Sequence, residues 1–122
     1  MSTDSSPKKM SEMILEMAAG FLGVGDSIGE RQNRLNAACS AWNMACQLPK
    51  ERQRQLDQYK EGYLRFNPST SPVEIAKIVK VMESMIERKL KLFPNDNRQI
   101  VSAKVVKVGT DYRIEVASAS LK

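Results

Sequence analysis

The side chains best suited to nucleophilic or metal chemistry in this sequence are two cysteines, Cys39 and Cys46, and no histidine accompanies them. Seven residues apart, the thiols fall on one face of a helix, about 10 Å apart along its axis, too far for a disulfide between them. A thiol attacks as thiolate, and it needs a neighbouring base or cation to become one. From Leu35 to Pro49 the chain carries no charged residue, so neither cysteine has such a neighbour nearby in sequence. The lack of histidine and of a CxxC pair also leaves zinc without its usual ligands. Both cysteines are expected to be buried free thiols in a reducing compartment.

Other catalytic patterns fail on spacing. Gly23-Val-Gly25-Asp-Ser-Ile-Gly29 has one residue too many for the dinucleotide fingerprint GxGxxG, and it follows a predicted helix rather than a strand. With Gly20 these glycines read as a flexible connection between helices. No serine sits in a GxSxG elbow, and no group of carboxylates suggests a two-metal centre. The expectation is a protein with no catalytic residue, no metal site and no cofactor, and not an enzyme.

More unusual is a run of uncharged polar side chains. Asn36, Ser40, Asn43 and Gln47 recur at spacings of four, three and four, which places them on one face of a helix whose apolar face holds Leu35, Ala38, Cys39, Trp42, Ala45 and Cys46. Such a ladder either bonds neighbouring backbone inside the fold or presents amides that select a protein partner. A methionine stripe, Met10, Met13 and Met17, has the same two readings, as core or as an adaptable contact surface.

Charge supplies a third set of candidates. The net charge is +5, and the excess lies thinly over residues 49–122. Arg52, Arg54, Lys60, Arg65, Lys77 and Lys80 would carry a nucleic-acid footprint, with Tyr59 and Tyr63 interleaved as stacking platforms. Glu51, Asp57 and Glu61 are interspersed with them, as on an ordinary solvated face. Tyr112 is the one ring in the C-terminal strands, so an RNA-binding sheet is not indicated.

The elements that must position these residues follow from periodicity and stop signals. Residues 1–6 read as a disordered tail and 7–122 as one domain. A first helix is predicted over 7–22, with Met10, Met13, Ile14, Met17 and Phe21 on one stripe. Ser27 and Glu30 form a capping box for a second helix over 28–47, and Pro49 opens a third over 49–66. Ser71-Pro-Val-Glu74 combines a capping box with a first-turn proline for a fourth over 72–92. Its buried stripe is Ile75, Val79, Met82, Met85, Ile86 and Leu90.

Period two then takes over. Residues 99–108 and 112–118 read as an antiparallel hairpin, and the adjacent apolar Val105 and Val106 point to a bulge there or to burial of both faces. The fold class is mainly α, within α+β: four helices, then a C-terminal β-hairpin packed on them. Two strands alone are marginal and leave two open edges, so a hairpin edge is expected to pair with a second copy or another partner. Lys8 and Lys9 precede an apolar stretch that Glu12 and Glu16 interrupt, which excludes a signal peptide and a membrane span. A cytoplasmic, non-membrane protein is expected. The leading functional reading is a non-catalytic protein–protein interaction module, an adaptor, accessory subunit or regulator able to form a homodimer. A nucleic-acid-binding regulator using the basic surface of residues 49–95 is the alternative.

Overall fold

Ser27 and Ser71 do what their spacing predicts. Each hydroxyl accepts the backbone N–H three residues on, from Glu30 and Glu74, at 3.1 Å, and each donates to that glutamate's carboxylate. In this computed structural model, which describes residues 9–22 and 27–120 (the last without its side chain), four helices precede two strands. They are α1 (Met10–Met17), α2 (Ile28–Ala45), α3 (Pro49–Phe66), α4 (Pro72–Leu92), β1 (Arg98–Val108) and β2 (Asp111–Ser120). The tail 1–6, the helix start at Pro7, the glycines Gly23 and Gly25 and the chain end at 121–122 lie outside the described residues.

Two helices end earlier than periodicity predicts, and Gly29 lies inside α2 rather than in the connection before it. After Met17 the chain turns through Gly20, whose φ of 85° suits a residue without a Cβ. Arg88 from α4 donates to the terminal carbonyls of Glu16 and Met17, at 2.8 and 2.7 Å. At the end of α2, Arg52 donates to the carbonyls of Gln47 at 2.9 Å and Ala45 at 3.4 Å. Cationic side chains at helix C-termini also meet the negative end of the dipole.

The hairpin turns through Gly109 and Thr110. A φ of 65° at Gly109, with no positive φ at Thr110, is the type II′ arrangement that matches strand twist. Pairing is regular from Val108↔Asp111 back to Ser102↔Ala117, and the irregularity falls at Val101; of the two readings of Val105 and Val106, a bulge or burial of both faces, the second holds. The two valines are adjacent and apolar because they serve opposite faces: Val105 is buried against the helices and Val106 is half-buried on the other side.

One core cluster joins all of this. It takes Met13, Ile14 and Met17 from α1, Leu35, Ala38 and Trp42 from α2, Met82, Met85 and Ile86 from α4, and Ile100 and Val105 from β1. From α3 the buried contribution is Leu56. Lys89 lies on the same buried stripe of α4, with 1% exposure, and its ammonium sits 5.1 Å from the centroid of the Trp42 ring. No described helix is long and apolar enough to cross a membrane.

Candidate interaction surfaces

Side chains of α2 cover the open edge of β1 between Arg98 and Val105. In a two-residue hairpin the closing pair, Val108 and Asp111, is hydrogen-bonded, so alternate residues turn their backbone groups outward. Along β1 these are Lys107, Val105 and Ala103, then, past the extra residue at Val101, Ile100 and Arg98. Gln32 uses both ends of its amide here: its Oε1 accepts from Val105 N–H at 2.8 Å and its Nε2 donates to Ala103 C=O at 3.0 Å. Asn43 does the same with Ile100, accepting its N–H at 2.8 Å and donating to its C=O at 3.0 Å. Trp42 Nε1 donates to Arg98 C=O at 2.8 Å. A helix thus satisfies a sheet edge with carboxamides in place of a third strand.

This divides the predicted ladder. Asn43 belongs to the fold, and Gln32, one turn before Asn36, performs the same task although sequence reasoning passed over it. Its signal was present, since Gln32 continues the four-residue spacing backwards. Gln47 is half-buried, and its carbonyl receives Arg52. Asn36 accepts from Gln32 Nε2 at 2.9 Å but stays exposed, and together with half-buried Ser40 it lines a groove. Met10, Met13 and Met17 are at most 5% exposed, so the methionine stripe lies in the core.

That groove runs between α2, α3 and α4, open to solvent, with a volume of about 640 Å³. On the α2 side stand Asn33, Asn36 and Ser40; on the α3 side, Tyr59 and Tyr63; on the α4 side, Lys77, Ile78 and Val81. Burial pushes the Tyr59 hydroxyl above its ordinary value, and Tyr63 adds to that. Two cations, Arg34 and Lys77, and one carboxylate, Glu30, line it. The Glu30 carboxylate accepts from Ser27. Arg34 lies 5.0 Å from the Phe21 ring centroid, and its guanidinium donates to the Phe21 carbonyl at 3.4 Å.

The basic candidates do not act as a set. Arg52 caps α2 and Arg54 pairs with Glu51, whereas Lys60, Arg65, Lys77 and Lys80 are exposed. Of these, Lys77 reaches the groove. The cysteines offer little nucleophilicity. Burial pushes the Cys39 thiol up to about 12, and it raises the Cys46 thiol too, opposed in part by Lys89. Among the described residues no group of three or more acidic or cysteine side chains is placed to hold a metal ion. Compared with family models, curated proteins and solved structures, the chain matches none.

Proposed function

We infer that this chain is a non-catalytic protein-interaction module, an adaptor, accessory subunit or regulator, that receives an acidic segment of a partner protein in the groove between α2, α3 and α4. The observation that carries the reading is the groove's lining: neutral amides and hydroxyls from Asn33, Asn36 and Ser40 face Tyr59 and Tyr63 across an open channel. Amide and hydroxyl groups there match the backbone of a peptide, and tyrosine supplies rigid contact area with a polar tip. Arg34 and Lys77 outnumber Glu30, so the complementary segment carries negative charge. Free thiols, buried at Cys39 and half-buried at Cys46, fit a reducing compartment.

Selection of peptides from a random display library on the full chain, followed by amide NMR shift mapping, tests this. The expected result is enrichment of Asp- and Glu-containing peptides that shift Asn36, Ser40 and Tyr63, with binding lost in Tyr63→Ala. Peptides that bind elsewhere, or none at all, overturn it. The nucleic-acid reading is favoured instead if a single-stranded oligonucleotide moves the same resonances with an affinity that falls steeply with salt.

A further inference from the structure

The edge of β2 is treated differently from that of β1. By the alternation that turns Val105 and Ala103 towards Gln32, the backbone groups of Tyr112, Ile114, Val116 and Ser118 point away from β1. Among the described residues none bonds them. Strands left open in this way are usually guarded by lysine, proline or a bulge. Here the guards are on the wrong strand: Lys104, Lys107 and the irregularity at Val101 are on β1, which α2 already covers between Arg98 and Val105, and β2 has neither lysine nor proline.

We propose that β2 pairs antiparallel with β2 of a second copy of this chain, about a two-fold axis at Ile114, to make a continuous four-stranded sheet. The register is decided by charge. Outward groups of one copy must meet outward groups of the other, which restricts the pairing to shifts of two residues. With Ile114 opposite Ile114, Tyr112 faces Val116, and Arg113 stands directly opposite Glu115 of the second copy, twice by symmetry. One step in one direction sets Arg113 against Arg113 and Asp111 against Glu115. One step in the other sets Glu115 against Glu115. Both are repulsive; a second step in the first direction would set Arg113 against Asp111 but leave only residues 111–113 paired before the turn, so the stretch 112–116 has one good partner in its own sequence.

Apolar surface adjoins this edge. Leu15, Leu22, Leu35 and Ile114 line a hollow of about 390 Å³ with Tyr112 and Arg113 at its rim. Leu15 is 49% exposed. Pairing through β2 brings the inner-face residues of the second copy towards this hollow and removes part of it from water. The inference is independent of the groove reading, since no residue lining the groove belongs to the hairpin.

Sedimentation equilibrium of the full chain over a wide concentration range, with charge variants, tests the proposal. The side chains of Arg113 and Glu115 are exposed, so Arg113→Glu and Glu115→Arg should keep the helical circular dichroism. Each alone turns both symmetry-related pairs repulsive and weakens dimerisation about tenfold or more. The double swap R113E/E115R restores it, because the pairs re-form with exchanged partners. As a register test that changes little charge at a time, mixing Arg113→Cys with Glu115→Cys under mild oxidation should give a cross-linked heterodimer, while neither variant cross-links with itself. A wild-type monomer at every concentration overturns the proposal. So do single variants that dimerise like wild type, or cross-linking of either cysteine variant to itself.

Discussion

Asn43 shows how much a single side chain can decide in this molecule. Its amide meets both backbone groups of Ile100, a residue 57 positions along the chain and 8% exposed. Replacing it by leucine keeps the branched shape but leaves a shielded N–H and C=O without partners, at a cost of about 2 kcal/mol. Asn43→Leu is therefore a folding variant and a poor probe of partner binding. Urea unfolding, followed through the single tryptophan at position 42, should show a midpoint lowered accordingly. A loss below about half a kcal/mol would mean that water takes over both groups. From sequence, the polar character of Asn43 within the uncharged stretch from Leu35 to Pro49 was plain, but the destination of its bonds was not. Periodicity assigns a residue to a face, and it is silent on which distant element covers that face. Lys89 is the converse case: its spacing from Met82, Met85 and Ile86 puts it on the buried stripe of α4, and only its charge argued otherwise. The long apolar stem and the Trp42 ring make that burial tolerable.

Among the elements, those whose ends are written in local chemistry were legible and those whose ends depend on distant residues were not. Capping boxes at Ser27 and Ser71 and prolines at the first position of α3 and α4 act within four residues, so these starts stand where spacing put them. The ends of α1 and α2 are taken up by Arg88 and Arg52, and the shift at Val101 realigns β1 so that Ile100 meets Asn43. Arg88 and the Ile100–Asn43 match are long-range events with no local signature, and Arg52 acts only five to seven residues back, outside the reach of the helix period. The connection from α4 to β1 has its own lock. Asp96 accepts from the guanidinium and backbone N–H of Arg98, and this bonding, aided by Lys89, holds its carboxyl below the ordinary value of 3.8. A carboxylate depressed on folding stabilises the native state above its unfolded value, and that contribution fades as pH falls through the folded value. Asp96→Asn should thus cost about 1 kcal/mol near neutrality, a charge-assisted bond at a partly shielded site. In acid the gap between variant and wild type should close below the ordinary 3.8, as thermal unfolding across a pH series would reveal. A gap that stayed constant into acid would show that the Asp96 charge plays no part.

Seen as a whole, the molecule is arranged around α2, which packs against α1, α3, α4 and β1. Trp42, fully buried, ties the centre together through Arg98, Phe93 and Lys89. Against this hub α3 is held lightly: Leu56 is its one buried side chain, while its polar face carries Arg54, Asp57, Lys60 and Glu61 into solvent. Local openings start where buried apolar contact is thinnest. Native-state hydrogen exchange should therefore find the amides of α3 exchanging through a low-energy opening, well below the global free energy that protects the middle of α2. Because α3 also supplies Tyr59 and Tyr63, such an opening would let one wall of the groove adjust to the proposed partner segment while the α2 wall holds its place. A bound peptide should then slow exchange in α3 more than in α2, since α2 has little opening left to suppress. Equal protection of the two helices in the free protein, or slowing by the peptide confined to α2, would mean that α3 is as firmly seated as the hub and that the groove is a preformed slot.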